Sequence, residues 1–367
     1  MAYLPLSTAN LPDPAIDPAQ GSSPEDYFNT VLYSGDNTSP RSITGVGFDP
    51  EFVWVKNRTS GSYGHYLWDA VRGTDKNLRS DGTFTEAAVS AASNGIVSTN
   101  TTDGFITKAG SSGSNNVNGT GGTYVAWNWK ANGSGVSNTD GSITSTVSAN
   151  TESGFSIGTY TGNATAGATV GHGLSQAPEV IIIKDRPTIN DWPVYHTSIS
   201  PSQTIKLNPS NAAFTESTIW NNTAPTTSVF TLGSSNLANN NTKSHVFYAF
   251  HSVEGYSKIG SYAGNGSATD SPFVYLGFRP AWVLIKQSSG SGTAWNLWDS
   301  KRDGYNLDNW QLEADDSKAE NTSIQRMTFL SNGFKIHQTS SAQVNASGQT
   351  YIYMAFAENP FKYSNAR

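Results

Sequence analysis

The residues best suited to chemistry form two tryptophan–aspartate–arginine motifs far apart in the chain. They are Trp68, Asp69 and Arg72 in the first motif, and Trp298, Asp299 and Arg302 in the second. A carboxylate and a guanidinium three residues apart can pair, and a neighbouring indole offers a flat apolar face. The motif therefore suits either a scaffold contact or a glycan platform. The pair recurs at equivalent places in two units, which favours the scaffold interpretation. At the place aligned with these motifs the middle unit has Trp192 and His196 instead, which argues against one shared catalytic function.

The other reactive side chains match no catalytic or metal-binding motif. None of the six histidines has metal-ligand spacing, and the absence of cysteine excludes Cys-ligated zinc. One acidic loop lacks the spacing of an EF-hand; its members are Asp299, Asp303, Asp308, Asp315 and Asp316. We therefore predict no enzymatic activity, no bound metal and no cofactor. Glycan hydrolysis by two carboxylates from distant loops is the weaker alternative.

The composition favours short strands joined by tight turns. Charged residues make up 14 % of the chain, aromatic residues make up 11 %, and 35 residues are glycine. An average soluble protein has about 25 % charged residues, and long surface helices depend on them. The net charge of −6 gives no basic field for nucleic acid. No apolar run reaches the roughly 20 residues of a membrane helix. The sequence therefore predicts an all-β protein that neither binds nucleic acid nor inserts into a membrane.

One pattern of motifs occurs three times. Each copy opens with Tyr-x-Gly, continues into an apolar strand that follows a proline and ends in lysine, and closes on an aromatic strand. The three lysines are Lys56, Lys184 and Lys286. Their spacing of roughly 100 to 130 residues matches one β-sandwich domain. Because the lysine strands are apolar on both faces, we expect them to be covered on both sides.

These repeats divide the chain into five expected segments. We predict three tandem antiparallel β-sandwich domains of jelly-roll-like form, preceded by an extended arm. The segments are the N-terminal arm at 1–28, repeat 1 at 29–130, a linker at 131–153, repeat 2 at 154–254 and repeat 3 at 255–367. The linker is rich in Gly, Ser, Thr and Asn, which predicts flexibility. Repeats 2 and 3 are therefore expected to pack as a pair, with repeat 1 more independent.

The N-terminal arm lies outside the repeats and is punctuated by proline. Such a segment cannot fold alone, so it is either an unstructured terminus or a docking arm that adds to a neighbouring subunit. The residues expected to dock on a particle are Pro12, Pro14, Ile16, Tyr27 and Phe28.

Several of these blocks together carry a resemblance to a known group. They are Leu11-Pro12-Asp13-Pro14, Glu25-Asp26-Tyr27-Phe28-Asn29-Thr30, Tyr33-Ser34-Gly35, Phe52-Val53-Trp54-Val55-Lys56, Gly158-Thr159-Tyr160-Thr161-Gly162 and Val170-Gly171-His172-Gly173-Leu174. The sequence resembles repeat-containing virion proteins of marine tailed phages, a tail-fibre-like group that includes domains of unknown function. The resemblance extends through the three repeats and brings no catalytic residues with it.

The resemblance implies a non-enzymatic structural component exposed on the surface of a tailed-phage virion. A tail fibre or appendage with a role in host attachment is the leading expectation; the alternatives are a capsid decoration protein and a carbohydrate-binding adhesin array. Expected partners are other virion proteins through the arm, further copies in a homo-oligomer, and host surface glycan. The first residues lack a secretory signal, so we expect synthesis in the host cytoplasm and delivery to the virion by assembly.

Overall fold

A computed structural model describes residues 11–89, 95–99, 102–108, 116–303, 310–323, 326–337 and 343–364. Within these ranges the regular secondary structure consists almost entirely of antiparallel strands, so the all-β prediction is confirmed. The two α-helices of the described part are single turns in repeat 2, α1 (Ser217–Trp220) and α2 (Asn236–Asn239). No helix in these ranges is long and apolar enough to span a membrane.

Repeat 1 contains a large and a small sheet. Its strands are β1 (Phe28–Ser34), β2 (Arg41–Ile43), β3 (Phe52–Asn57), β4 (His65–Asp69), β5 (Lys76–Asn77), β6 (Ala87–Ala88), β7 (Gly95–Thr99), β8 (Phe105–Lys108) and β9 (Thr123–Trp129). The large sheet has the order β1-β9-β3-β4 and the small one has the order β2-β8-β7, while β5 and β6 form a separate pair.

Repeat 2 has a larger main sheet because the preceding segment joins it. The strands are β10 (Val136–Asn138), β11 (Ser145–Asn150), β12 (Phe155–Thr161), β13 (Ala168–Gly171), β14 (Val180–Asp185), β15 (Pro193–His196), β16 (Gln203–Lys206), β17 (Phe214–Thr215), β18 (Val229–Leu232) and β19 (Ser244–Phe250). The large sheet has the order β10-β11-β12-β19-β14-β15-β16-β17, and β13 pairs with β18.

Repeat 3 returns to the plan of repeat 1. Its strands are β20 (Ser257–Ala263), β21 (Phe273–Tyr275), β22 (Phe278–Gln287), β23 (Asn296–Asp299), β24 (Leu312–Glu313), β25 (Met327–Leu330), β26 (Gly333–Ile336) and β27 (Thr350–Pro360). The sheets have the orders β20-β27-β22-β23-β24 and β21-β26-β25.

All three large sheets share one four-strand unit. In each repeat the closing strand (β9, β19, β27) lies between the opening strand (β1, β12, β20) and the lysine strand (β3, β14, β22). A fourth strand, β4, β15 or β23, pairs with the lysine strand. The registers agree as well, since Trp129, Phe250 and Phe356 occupy the same place on the three closing strands.

Each large sheet has two apolar faces, and both are covered by other parts of the protein. One face packs on the small sheet of the same repeat and forms a separate core there. The opposite faces of all three large sheets meet in a single cluster, which we call the central core. In it Phe52 stacks on Tyr248 of repeat 2 at 4.5 Å, and Trp129 meets Trp282 of repeat 3 edge-on at 5.7 Å. The repeats therefore close around one core instead of standing in series.

The segment at 131–153 is not a loose linker but part of the fold. Strands β10 and β11 form a hairpin that continues the large sheet of repeat 2, with Val147 opposite Gly158. Val147 and Ile143 are buried in the core of repeat 2. Two aliphatic side chains in a polar segment are enough to anchor the hairpin, because the backbone ladder on β12 satisfies its amides.

The N-terminal arm is also part of the fold from Leu11 onward. Ala15 N donates to Glu254 O at the end of repeat 2 at 3.2 Å, and Asp13 pairs with Lys362 of repeat 3. Short 3₁₀ turns follow at Pro18–Gln20 and Pro24–Asp26. Ile16 is fully buried in the central core. The described part of the arm therefore packs on its own chain.

The shared core predicts that the repeats unfold together. Phe52→Ala removes a ring that contacts repeats 1 and 2, and we expect a loss of about 3–5 kcal/mol in the free energy of unfolding. Urea unfolding followed by near-ultraviolet circular dichroism and by tryptophan fluorescence should show one coincident, shifted transition. Phe84→Ala is the matched control, since Phe84 is 46 % exposed. Two separate transitions in either variant would contradict the shared core.

Candidate functional site

The tryptophans of the sequence motifs lie inside the protein. Trp68 is 3 % exposed, and Trp192 and Trp298 are fully buried. Trp68 packs in the core of repeat 1 and Trp298 in that of repeat 3. A sugar ring stacks on an accessible aromatic face, and none of these three indoles offers one. The glycan platform expected from these residues therefore has no geometric support, whereas their burial suits a scaffold role.

Strand register changes the alignment of the middle repeat. Trp68 lies opposite Val53 and Trp298 opposite Val283, whereas the equivalent residue of repeat 2 is Tyr195, opposite Ile181. Trp192 instead corresponds to His65 and Trp295, three positions earlier on the strand. The sequence alignment placed Trp192 with the wrong tryptophans because repeat 2 has tryptophan at a different position of the same strand.

The aspartate and arginine of each motif form a buried ion pair. Arg72 Nε donates to Asp69 Oδ2 at 2.5 Å, and both side chains are fully buried. Arg302 and Asp299 repeat this geometry at 2.5 Å. Each arginine also caps a backbone carbonyl on the adjacent strand, and each backbone N–H at the arginine donates to its aspartate. Such charge-assisted, multiply bonded pairs fix the corner after β4 and after β23.

Both pairs extend into chains that join different repeats. At the first junction, between repeats 1 and 3, the Arg58 guanidinium forms a bidentate ion pair with the Glu320 carboxylate, and the shortest N–O distance is 2.9 Å. Glu320 accepts from Arg302 at 2.7 Å. Asp299 then accepts from the indole N–H of Trp127 in repeat 1 at 2.9 Å. This ionic chain starts at Arg58 in repeat 1, runs through Glu320, Arg302 and Asp299 in repeat 3, and ends at Trp127 in repeat 1. Each charged side chain in it contacts one of opposite sign.

The second junction, between repeats 2 and 1, has the same construction. Arg186 of repeat 2 binds Glu86 at 2.9 Å, and Glu86 binds Arg72 at 3.2 Å. Asp69 accepts from the hydroxyl of Tyr248 in repeat 2 at 2.7 Å. Tyr248 and Trp127 hold the same place on their closing strands. Sequence analysis found only the inner pair of each chain, because the outer arginine and glutamate lie in separate loops.

The third junction, between repeats 3 and 2, replaces every charged member. The residues at the five equivalent positions are Ser288, Ala213, Ile199, His196 and Met354. The backbone bond survives, since Ala213 N donates to Ser288 O at 3.1 Å as Glu320 N does to Arg58 O at 2.9 Å. A buried ionic chain loses stability when only one member is removed, which explains why the replacement is complete.

A second set of contacts crosses all three junctions. His65, Trp295 and Trp192 occupy one equivalent position, and each places a ring nitrogen against a backbone carbonyl of the neighbouring repeat. The distances are 2.9 Å from His65 to Glu313, 2.8 Å from Trp295 to Lys206 and 3.2 Å from Trp192 to Gly82. These contacts run from repeat 1 to 3, from 3 to 2 and from 2 to 1. The arrangement is therefore cyclic.

The three marker lysines are structural as well. Lys56, Lys184 and Lys286 are fully buried, and each Nζ donates to at least two backbone carbonyls. Lys56 reaches Ser317 in repeat 3 at 3.0 Å, and Lys286 reaches Pro209 in repeat 2 at 3.0 Å. Burial lowers the pKa of each lysine to about 8. Their ammonium groups donate hydrogen bonds to backbone carbonyls of nearby loops, which would otherwise be unpaired.

Buried asparagines organise one loop in each repeat, a feature that the sequence analysis missed. Asn118, Asn239 and Asn345 are fully buried. Each side-chain oxygen accepts a backbone N–H just after the Tyr-x-Gly motif, and each side-chain nitrogen donates to the carbonyl two residues further on. Aligning the repeats on the closing strand would have found them, because each asparagine precedes the same strand position, Tyr124, His245 or Tyr351, by six residues.

The residues expected to dock on a particle are divided between core and surface. Ile16 and Phe28 are buried in the central core, where Phe28 stacks on Phe356 at 5.2 Å. Tyr27 packs edge-on against Tyr256. Pro12 and Pro14 line a surface cavity of about 470 Å³ between the arm and repeats 2 and 3. Of the five residues, Pro12 is exposed, and Pro14 and Tyr27 are half-buried.

The described residues hold no cluster of three or more histidine or acidic side chains able to bind a metal. Of the acidic loop, Asp308 lies outside the described residues. Asp299 is committed to Arg302, and Asp316 pairs with Lys318 at 2.7 Å. Burial raises the pKa of Asp315 to about 6, although the nearby Lys286 and the backbone N–H of Trp295 act to lower it. The Trp295 N–H donates to the Asp315 carboxylate at 2.9 Å, and Lys286 Nζ lies 4.0 Å from it.

Comparison with known proteins gives one match. The family described as "Domain of unknown function (DUF7483)" matches residues 23–360, which include all three repeats and the end of the arm. Neither the curated proteins nor the solved structures contain a match to the chain.

The ionic chains predict an asymmetric response to charge removal. Glu320→Ala leaves Arg58 and Arg302 without their shared carboxylate, and we expect a loss of about 3–5 kcal/mol in the free energy of unfolding. Adding Arg58→Ser reproduces the Ser288–Ala213 pair of the third junction and should recover part of that loss. Urea denaturation of the single and double variants measures both effects. A double variant less stable than the single one would contradict the interpretation.

The buried histidines predict acid sensitivity. Burial lowers the pKa of His65 to about 3 and of His196 to about 4, whereas an unfolded histidine titrates near pH 6.5 (roughly). The unfolded state thus binds more protons between these values, so the free energy of unfolding should fall as the pH falls from about 6.5 to about 4. Denaturation at several pH values measures the slope, and His196→Asn should make it shallower. An unchanged slope in that variant would remove His196 as a cause.

Proposed function

For this chain, which belongs to the DUF7483 family, we propose a non-enzymatic structural role on the surface of a tailed-phage particle. The observation that carries the proposal is the use made of the reactive side chains. The aspartates and arginines of both motifs are buried in the junctions between repeats, and the marker lysines bind backbone carbonyls. An enzyme would expose such aspartate, arginine and lysine side chains to its substrate, whereas here they are buried and stabilise the packing of the three repeats.

The closed arrangement supports this role because it yields a rigid body. Three sheets share the central core, two buried ionic chains cross the junctions, and the arm from Leu11 is tied to repeats 2 and 3. Satisfied buried polar networks rigidify a fold and specify one packing. A particle component that must persist outside a cell benefits from such a body. The resemblance to repeat-containing virion proteins agrees with it.

The structure changes how attachment should be tested. Removing the whole arm at 1–28 would delete Ile16 and Phe28 from the central core, so lost attachment would only report lost folding. Pro12 and Pro14 are accessible at the cavity beside repeat 3. A variant with Pro12→Glu keeps the core intact and is the sharper probe of particle docking.

Immunogold electron microscopy of intact particles tests the proposal. Antibody raised against the folded protein should decorate virions, and gold on the tail or its appendages is the expected result. Gold over the head would assign a capsid decoration role. Particles without gold, from a lysate that contains the protein, would overturn the virion proposal.

Enzymatic turnover provides the opposing test. Purified protein incubated with host surface polysaccharide is expected to leave its viscosity unchanged. A fall in viscosity that Asp299→Asn does not abolish, but that heat denaturation does, would reveal an activity outside the junctions and contradict the structural role.

A further inference from the structure

A second cavity of about 470 Å³ opens at the surface where repeats 1 and 2 meet. It is lined by Tyr66, Arg79 and Phe84 of repeat 1, among others, and by Ile189 of repeat 2. Its volume falls within the roughly 300–1,000 Å³ of small-ligand sites, which favour interfaces between domains. Phe84 is 46 % exposed and Ile189 is 72 % exposed. Two large apolar side chains from different repeats, both accessible at one cavity, indicate a binding surface.

The cavity has an aromatic wall supported by a guanidinium. Arg79 Cζ lies 4.1 Å from the ring centroid of Phe84 and 5.8 Å from that of Tyr66, so the cation stacks on both rings. Arg79 also pairs with Asp81 at 2.6 Å, through Nε and Nη2. Among the described residues that line the cavity, Arg79 alone is charged. Because Asp81 neutralises it, the cavity has no net positive charge to attract an anion.

The loop that carries Phe84 is held at both ends by repeat 2. Trp192 Nε1 donates to Gly82 O at 3.2 Å, and Glu86 N donates to Arg186 O at 2.8 Å. The Glu86 carboxylate also pairs with Arg186 at 2.9 Å. A loop that is ordered before its ligand arrives loses little conformational entropy on binding. The junction therefore presents the tip of this loop as a preformed surface.

Repeats 2 and 3 have other side chains at the place of the aromatic wall. The equivalent segments are 78–86, 205–213 and 312–320, which begin opposite β4, β15 or β23 and end at a junction. At the position of Phe84, repeat 2 has Asn211 and repeat 3 has Lys318. Lys318 pairs with Glu313 at 3.0 Å, and Glu313 holds the position of Arg79. The fold itself does not need an exposed phenylalanine here, so its presence in repeat 1 points to a ligand.

Polar groups beside the aromatic wall indicate the chemistry of that ligand. Arg79 Nη1 and the hydroxyls of Tyr66, Thr83 and Thr85 bind none of the described residues. Hydroxyls donate and accept, whereas a guanidinium only donates, so a complementary ligand has several hydroxyl groups around an apolar face. A pyranose has both, since its C–H face packs on an aromatic ring and its hydroxyls point outward from the rim.

We infer that this cavity between repeats 1 and 2 binds a neutral hexopyranose. The sugar ring packs on Phe84 and Ile189. Its hydroxyls bind Arg79 Nη1 and the hydroxyls of Thr83 and Thr85. The site is separate from the buried tryptophan motifs, and the inference does not rest on the particle role, because it concerns the isolated protein.

Saturation-transfer nuclear magnetic resonance of the full chain tests this, with the methyl glycosides of glucose, galactose, mannose and N-acetylglucosamine at millimolar concentration. At least one glycoside should receive saturation, and it should shift the amide signals of Phe84 and Ile189. Phe84→Ala should weaken its binding at least about tenfold. Phe273→Ala in repeat 3 is the matched control, since Phe273 is also 46 % exposed, and it should leave binding unchanged. Saturation of none of the four glycosides, or equal binding by both variants, would overturn the inference.

Two further comparisons test the kind of ligand. The double variant Thr83→Val and Thr85→Val keeps the shape of the loop but removes both hydroxyls, and we expect binding to fall about fivefold. Full binding by this variant would indicate a purely apolar contact and overturn the sugar assignment. Methyl glucuronide should bind no more tightly than methyl glucoside, and a preference for the glucuronide would contradict a neutral ligand. Amide shifts confined to Phe273 and Tyr275 would place the sugar elsewhere and overturn the site.

Discussion

The constraint on which the structure depends is that the strands of the large sheets are apolar on both faces. A sandwich has only one interior, so the second face of such a sheet must be covered from outside. In this protein each repeat covers that face with the other two, and the central core is the result. Everything else at the junctions follows from this packing, because burying three sheets against each other also buries the polar ends of their strands, which must then find partners.

The polar partners are supplied in a cyclic manner, but their chemistry is not uniform. Two junctions use an arginine–glutamate–arginine–aspartate chain that ends on an aromatic N–H or O–H. The third has serine, alanine, isoleucine, histidine and methionine at the same five positions, and burial keeps the histidine neutral by lowering its pKa to about 4. Both solutions leave no buried charge unpaired, which is the condition that matters energetically. An intermediate solution, with one or two members replaced, would leave a buried ion without its counter-ion.

Much of the fold was predictable from the sequence, and the reasons for the rest are physical. The repeat pattern and the two-faced apolar strands correctly predicted an all-β fold and a covered lysine strand. The same strands implied a second layer, yet nothing local indicates that this layer is another repeat. The hairpin at 131–153 escaped notice because its two anchors, Ile143 and Val147, are isolated in polar sequence. Trp192 was aligned with the wrong tryptophans because a hydrophobic pattern still matches when the alignment is shifted by three residues. Strand register, which the structure supplies, fixes the alignment. The ion pairs were visible as motifs, but their partners Glu86 and Glu320 come from distant loops.

The covalent linkage of the three repeats has a consequence for the outer surface. Three identical subunits around a common core would present three identical faces, and a substitution in one would appear in all. A single chain is free of that rule. Repeat 2 carries the β10–β11 hairpin at an edge where no strand of the described residues covers the counterparts β1 and β20, and one junction has uncharged residues at positions where the other two have charges. The three repeats pack like the subunits of a trimer, but their outer surfaces differ. A binding partner can therefore distinguish one repeat from the other two and bind in a single orientation about the pseudo-three-fold axis.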